Sequence, residues 1–329
     1  MFRFFDRQLT CKMHRLQLNF FFVLFFVMKG FFLSAQEPAL LHPDVIRITA
    51  FNDTVLRNMV NTKQIYDLGL DKLPQIIFWR KIMNLSPDSG IVSLAANRTI
   101  YCTKLTTSWD LLGKQGQDQF RDSLRKLYVL GDSASVLFTK GKNDFYDAKS
   151  VVPQIDRAIP IFIHQGVDPF YAQAILLIES PGKVLKSNAG AFGPFQLMKS
   201  VAIQMGLKVN KHIDERKDFE KSSWAAAKLL RTICIPYTRS MLANLGISYD
   251  ENELWFRLLV LHVYHAGAGN VAKALAATDL CEGGMFLIQK LWQTKAGAFG
   301  KSSQSYSQLA IAAFLELDFE LGRNLSRIN

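Results

Sequence analysis

The second half of the sequence is built from apolar segments with helical periodicity. From Pro153 onward, long apolar segments alternate with turns rich in glycine or charged residues. Apolar residues three and four positions apart form one face of an α-helix, so this pattern predicts a mainly helical fold for residues 153–329. The 329 residues are 49% hydrophobic and 20% charged, which excludes a disordered or collagen-like chain. We expect one or two folded domains.

Residues 36–152 show shorter segments of mixed type and no catalytic pattern. The predicted elements are helices near Thr54–Tyr66, Leu73–Met83 and Gln117–Leu127, and strands at Ile100–Lys104 and Ala134–Phe138. We therefore expect a mixed α/β or helical N-terminal region that acts as a spacer, a scaffold or a binding part. Proteins of the cell envelope are its candidate partners, and the sequence does not indicate an oligomeric state.

The first 35 residues have the pattern of an export signal. A basic leader precedes an uninterrupted apolar block over Phe20–Met28, and Leu33-Ser34-Ala35 offers a small-residue cleavage site. This block is shorter than the ~20 apolar residues that span a bilayer, so a permanent anchor is the less favoured alternative. Met13 offers a second possible start. We predict a signal peptide over residues 1–35 and a mature chain in the periplasm or cell envelope of a bacterium.

Charge and cysteine content give few further constraints. The formal net charge is +11, but lysine and arginine are scattered rather than gathered into one stripe, so we predict no nucleic-acid partner. Cys102, Cys234 and Cys281 lack a CxxC spacing. They can form at most one disulfide, or they can serve as buried small hydrophobic residues. No cofactor is predicted.

One helix ends on a carboxylate that has catalytic character. Asp168-Pro169 predicts a helix start, because aspartate caps helix N-termini and proline is favoured at the first helical position. Phe170–Ile178 is apolar nearly all round, which predicts a buried helix. Glu179 follows in the last turn, where burial and the negative end of the helix both raise the pKa of a carboxyl group. A carboxyl group that stays protonated near neutral pH suits a general acid, so Glu179 is the leading catalytic candidate.

Two glycine-bearing corners follow Glu179 along the chain. The first is the loop Ser187–Met198, with sequence SNAGAFGPFQLM, and the second is HAGAGNV at the end of a helix predicted over Glu253–Tyr264. Glycine lets the backbone approach a ligand or another segment closely, so these corners are candidates to line a cleft.

These motifs resemble the signature of the soluble lytic transglycosylase family. That signature joins Glu-Ser, then Ser-x-x-Gly-Ala-x-Gly-x-x-Gln-x-Met, then Ala-Tyr-Asn-Ala-Gly-x-Gly-x-Val. Here they appear, in the same order, as Glu179-Ser180, Ser187–Met198 and Val263–Val271. The segment Val209–Leu230 is also similar to the one that membrane-bound lytic murein transglycosylase D-like proteins carry between these motifs.

The resemblance implies a fold, a reaction and a set of site residues. It implies a goose-lysozyme-like helical catalytic domain within residues 153–329, with its core at 160–277 and a C-terminal helical extension. The implied activity on peptidoglycan strands is cleavage of the MurNAc-β-1,4-GlcNAc bond with a 1,6-anhydromuramoyl end, for cell-wall remodelling. Glu179 matches the family's catalytic acid/base. Ser187, Gln196, Met198 and Tyr264 match its cleft positions, Tyr306 matches a further one weakly, and His265 stands at another where the family has a different residue.

The sequence departs from the family pattern next to Tyr264. Val263 replaces the usual alanine, and His265 replaces the usual asparagine. An imidazole at this position either preserves a hydrogen bond near the acid or changes the pH response. His262 and His265 have the spacing of a helical metal pair, but the chain has no HExxH arrangement here, so we predict no metal site.

Two alternative functions stay open. A hydrolytic muramidase needs a second carboxylate, which would come from the N-terminal half or from the acids of residues 214–220. This last segment has the composition of a charged surface turn leading into a helix. A catalytically inactive peptidoglycan-binding scaffold is the other alternative, and His265 is its main support.

Overall fold

The computed structural model describes residues 42–49, 54–179, 186–187 and 189–325. The predicted signal peptide over residues 1–35 lies outside these ranges. Within them, no helix is both long and apolar enough to cross a membrane.

The described part of the chain begins with an antiparallel hairpin of β1 (Val45–Thr49) and β2 (Leu56–Val60). The helix predicted near Thr54–Tyr66 is therefore wrong over residues 54–62, and only α1 (Lys63–Asp67) is helical. The backbone of β2 is bound from a distant element. The side chain of Gln173 accepts a hydrogen bond from the N–H of Val60 (2.8 Å) and donates one to its C=O (3.1 Å). Local sequence carries no information on such a partner.

A three-stranded sheet forms a small satellite with its own core. Its strand order is β4 (Ile100–Leu105), β3 (Ser89–Leu94), β5 (Val136–Lys140), with both pairings antiparallel. The helices α3 (Thr106–Leu111) and α4 (Gly113–Leu127) follow β4. The satellite core consists of Val92, Trp109, Leu124 and Val136. The strand predictions at Ile100–Lys104 and Ala134–Phe138 are confirmed within two residues.

The remaining elements are helical, and one of them is buried along almost its whole length. They are α2 (Pro74–Asn84), α5 (Ala148–His164), α6 (Pro169–Glu179), α7 (Lys199–Gln204), α8 (Phe219–Leu229), α9 (Ile235–Leu245), α10 (Leu254–Ala266), α11 (Ala268–Ala276), α12 (Met285–Leu291) and α13 (Lys301–Leu325). Every residue of α6 except Glu179 is buried. The elements packed on α6 include α5, α10 and α13. The predicted mainly helical fold with a mixed N-terminal region is confirmed.

The N-terminal region shares its core with the helices that follow it. One hydrophobic core runs from Val45 to Leu317, and the described residues fall in one compact unit. The helix α2 packs on α13, and β2 packs on α5 and α6. The boundary predicted between residues 152 and 153 falls inside α5, which contains Pro153 and Pro160.

The three described cysteines are unpaired and differ in environment. Cys234 is buried, Cys102 is half-buried and Cys281 is exposed. Burial raises the pKa of the Cys234 thiol to about 12. Cys234 therefore has the environment expected of a small hydrophobic core residue.

Candidate active site

Glu179 is held in place by the anchoring of α6 at its other end. The Asp168 Oδ1 atom accepts a hydrogen bond from the N–H of Phe170 (2.8 Å), which confirms the predicted helix start. The buried guanidinium of Arg257 lies 2.7 Å from carboxylate oxygens of both Asp168 and Asp44. Asp44 belongs to the N-terminal region, so the helix that ends at Glu179 is tied to both halves of the chain.

The carboxyl group of Glu179 is desolvated and hydrogen-bonded. Its Oε1 atom accepts a hydrogen bond from the hydroxyl of Tyr306 (2.8 Å). Burial raises the pKa of Glu179 to about 7, and the hydrogen bond from Tyr306 opposes this rise. The predicted rise in pKa is confirmed, with burial as its main cause. A group with this pKa exchanges a proton readily at neutral pH, as acid/base catalysis requires.

Three tyrosines lie within electrostatic range of Glu179. Burial, followed by the charge of Glu179, raises the pKa of Tyr306, Tyr264 and Tyr146. Tyr146 was not predicted. It follows β5, in the region that the sequence suggested to be a spacer. The only sequence feature that marks it is a second aromatic residue, Phe145, directly before it. The N-terminal region therefore contributes a side chain to the surroundings of the acid.

The two histidines of α10 occupy different environments. The ring of His265 is stacked on the ring of Tyr306, with centroids 4.3 Å apart. His262 is fully buried, and its Nε2 atom lies 2.9 Å from the hydroxyl of Ser307. Burial lowers the pKa of His262 to about 3, so this ring is neutral. Across the described ranges, no three His, Cys, Asp or Glu side chains are grouped so that they could hold a metal ion.

The loop over Ser187–Met198 is organised by hydrogen bonds within itself. Ser187 Oγ accepts from the N–H of Ala191 (2.9 Å), and the backbones of Phe192 and Leu197 form an antiparallel bridge. Gln196 has a φ of 46°, a left-handed conformation that is strained for glutamine, and its side-chain amide donates to the C=O of Gly193 (3.0 Å). The loop joins α10 through the hydroxyl of Tyr264, which donates to the C=O of Phe195 (2.6 Å).

Arg216, which lies outside this loop in the sequence, binds the loop backbone. The sequence suggested an exposed charged turn here, but Arg216 is only 4% exposed. Its Nη1 atom donates to the C=O of Gly190 and of Leu197, at 3.0 Å each. Its other guanidinium nitrogens bind Asp214, and these bonds lower the pKa of that carboxyl group. The prediction of a surface turn was therefore wrong for Arg216, because the sequence does not reveal that a distant loop supplies its acceptors.

The predicted site residues form two groups. In the first group, Tyr306 hydrogen-bonds Glu179, His265 stacks on Tyr306, and Tyr264 lies within electrostatic range of Glu179. Ser187 and Gln196 use the hydrogen bonds given above to shape the loop, and Met198 is 42% exposed at the start of α7. The roles predicted for these three side chains toward a sugar stay predictions.

Residues 163–281 match the family model for the transglycosylase SLT domain. Comparisons with curated proteins and with solved structures gave no match. The matched segment includes Glu179, the loop, Tyr264 and His265, and it ends before Tyr306. The finer resemblance to membrane-bound type D proteins stays a prediction. The presence of an SLT domain is evidence that the protein processes peptidoglycan in the manner of lytic transglycosylases. Residues 163–281 of the chain therefore form a transglycosylase SLT domain.

Proposed function

We propose that this protein cleaves the MurNAc-β-1,4-GlcNAc bond of peptidoglycan without water and leaves a 1,6-anhydromuramoyl end. The observation that carries the proposal is the environment of Glu179, whose carboxyl group is desolvated, hydrogen-bonded to Tyr306 and titrates at about 7. One residue with this pKa can act first as an acid and then as a base.

The reaction needs one proton donor that is regenerated within the cycle. Glu179 donates its proton to the glycosidic oxygen, and the bond between this oxygen and the anomeric carbon of MurNAc breaks. The N-acetyl group of the substrate stabilises the positive charge that develops on that carbon. The Glu179 carboxylate then takes the proton of the 6-hydroxyl of the same sugar as its oxygen attacks the anomeric carbon. The 1,6-anhydro ring closes, and Glu179 is protonated again.

The acids of residues 214–220, one of the two sources of a second carboxylate for a hydrolytic mechanism, are engaged elsewhere. Asp214 binds Arg216, Glu215 binds Lys221, and Glu220 binds Arg157. Asp218 caps α8 by accepting a hydrogen bond from the N–H of Lys221 (2.9 Å). These partners give the four acids structural roles, which favours the transglycosylase reaction over the muramidase reaction.

The substrate class suggests where the protein works. Proteins with an SLT domain act on peptidoglycan in the cell envelope, which agrees with the export predicted from residues 1–35. Within the envelope, we expect the reaction to serve cell-wall remodelling.

Mass spectrometry of digested sacculi tests the proposal, because anhydro and reducing ends differ in mass by one water. We expect the wild type to release anhydro ends only. Glu179→Gln should release none while it still binds sacculi, because the amide cannot donate the proton to the leaving oxygen. Glu220→Gln is the matched control, since it changes an exposed glutamate, and should keep full activity.

Three results would overturn the proposal. Reducing ends in the products would identify a muramidase. Equal activity in Glu179→Gln would remove Glu179 from the reaction. Binding of sacculi by the wild type with no cleavage would identify a scaffold.

A further inference from the structure

The first turns of α13 are polar yet buried. Ser303, Ser305, Ser307 and Gln308 are each at most 6% exposed, and Tyr306 lies among them. Buried polar groups are costly unless they are hydrogen-bonded. From the sequence alone we expect an apolar helix over Leu309–Leu317, after the run Ser302–Gln308, because this run is rich in serine and serine is a weak helix former. Side chains from other elements bind these polar groups and stabilise the helix here.

Trp79 of α2 binds one side of this turn. Its indole Nε1 donates a hydrogen bond to Gln308 Oε1 (3.0 Å), and both side chains are buried. The Gln308 amide in turn donates to the C=O of Gln304 (3.0 Å). The indole N–H is the only polar group of the tryptophan side chain, and it can only donate. This bond therefore orients the Gln308 side of α13 toward α2.

Arg98 binds the next side chain of the same turn. It lies in the turn between β3 and β4, and its Nη2 atom donates to Ser305 Oγ (3.1 Å). The guanidinium stacks against the rings of Phe78 (5.0 Å) and Trp79 (5.2 Å). No carboxylate of the described ranges pairs with it, and burial lowers its pKa.

The arrangement at Arg98 is energetically unfavourable by itself. Its φ of 60° is left-handed, which costs a residue other than glycine about 1 kcal/mol or more. Desolvation of its charge adds a further cost. Strain of this kind persists where the surrounding structure fixes it, and it is common near functional sites.

The opposite side of the turn is held by residues 153–329, which contain the SLT match and form the SLT half of the chain. The indole of Trp292 donates to Ser307 Oγ (2.8 Å), and the ring of His265 covers Tyr306. Tyr306 is thus fixed from two directions, and one of them is the N-terminal region. Its hydroxyl donates a hydrogen bond to Glu179 Oε1 (2.8 Å).

We propose that Trp79 and Arg98 are positioning residues, which act through Gln308 and Ser305 to hold the Tyr306 hydroxyl on Glu179. This inference rests on the proposed role of Glu179 and gives the N-terminal region a function in the reaction. A displacement of the α13 turn by about 1 Å weakens the Tyr306–Glu179 hydrogen bond and misorients the acid, which costs on the order of a hundredfold in turnover at most. The bond stabilises the carboxylate, so its loss also moves the titration of Glu179 to higher pH.

The test compares Trp79→Phe, Ser305→Ala and Tyr306→Phe in the full chain, with kcat and KM on purified peptidoglycan measured against pH. We expect kcat to fall about tenfold or more in the first two variants with little change in KM. The alkaline limb of the pH profile should move to higher pH, in the same direction as in Tyr306→Phe. Trp79→Phe combined with Tyr306→Phe should be no worse than Tyr306→Phe alone, because both act through one hydrogen bond.

Trp255→Phe is the matched control. It also removes a buried indole N–H that donates to a side chain, in this case Glu253, but it lies at the start of α10 and away from the α13 turn. Its pH profile should stay that of the wild type. Ser305→Ala keeps the test valid if Trp79→Phe does not fold, because it removes only a hydroxyl.

A readout without turnover separates this inference from the proposed function. The pKa of Glu179 is also obtained from the pH dependence of the difference in unfolding free energy between Glu179→Gln and its parent, measured in the wild-type and in the Trp79→Phe background. A higher pKa in the Trp79→Phe background supports the inference even if the protein does not cleave peptidoglycan. An unchanged pKa, or kinetic losses that add to those of Tyr306→Phe, would overturn it.

Discussion

The burial that suits Glu179 to acid/base chemistry also lowers the stability of the folded chain. The folded chain buries a carboxyl group whose charged form is favoured in water, and Tyr306 recovers only part of the loss through its hydrogen bond. A carboxylate bound to an arginine would be easier to bury, but its pKa would be too low for a general acid. The site therefore keeps its proton at the expense of stability.

This conflict predicts a pH-dependent effect of Glu179→Gln on stability. Burial raises the pKa of Glu179 from 4.5 to about 7, so between these values the folded chain keeps a proton that the unfolded chain has released. Its contribution to stability is complete below the unfolded pKa and is lost as the pH rises through the folded pKa. Glutamine has no charge to bury. We expect the variant to match the wild type near pH 4 and to be more stable by about 3 kcal/mol at pH 8.

Urea unfolding at pH 4, 6 and 8 measures this difference. Glu220→Gln, which removes an exposed carboxylate paired with Arg157, should show no gain with rising pH. A difference between Glu179→Gln and wild type that stays constant over this range would contradict a raised pKa at position 179.

At the scale of elements, the loop over Ser187–Met198 depends on its close approach to Arg216. The carbonyl oxygen of Arg216 would lie 2.0 Å from a Cβ atom at Gly193, where φ is +86°. Gly190 has a similar φ of +89°, but a Cβ atom there meets nothing within 4 Å. A side chain at Gly190 therefore meets only backbone strain, whereas a side chain at Gly193 meets backbone strain and a steric clash.

We predict unequal effects of alanine at these two positions. Gly190→Ala should cost about 1–2 kcal/mol of unfolding free energy from backbone strain alone. Gly193→Ala should cost about 4 kcal/mol or more, because the Arg216 backbone must also move. Gly193→Ala should reduce cleavage as well, since Phe195 and Gln196 follow in the same loop. Urea unfolding of both variants checks this, and equal costs would show that the approach of Arg216 does not matter.

Sequence patterns predicted the elements whose signals are local. One example is α6, which is predicted by the cap at Asp168 and the apolar run to Ile178. The position of Glu179 at its end predicts the raised pKa of that carboxyl group. Elements defined by distant partners were missed or misassigned. β2 depends on Gln173, the burial of Arg216 depends on acceptors in the loop, and the start of α13 depends on Trp79 and Arg98. Each of these has polar groups that are satisfied only in the folded chain, so no local periodicity marks them.

At the scale of the whole molecule, the N-terminal region and the SLT half form one folded body. The β1–β2 hairpin lies against α5 and α6, and α2 covers α13. Ile76, Phe78 and Ile82 of α2 are fully buried, and removal of α2 would expose the side of α13 that carries Gln308 and Glu316. The family match covers residues 163–281, but the contacts that fix the acid extend beyond it on both sides.

A truncation therefore tests whether the SLT half is an independent domain. We predict that a fragment of residues 148–329, which keeps α5 whole, does not unfold cooperatively, whereas residues 42–329 show one cooperative thermal transition. The fragment loses the partners of Gln173, Gln308 and Ser305, and each buried polar group left without a partner costs about 1–3 kcal/mol. Together with the apolar contacts of Ile76, Phe78 and Ile82 that the fragment also loses, this loss is comparable to the whole stability of a typical domain. Circular dichroism on heating and binding of a hydrophobic dye distinguish the two chains. A cooperative transition in the fragment, with cleavage of peptidoglycan, would show that the N-terminal region is an accessory rather than part of the catalytic fold.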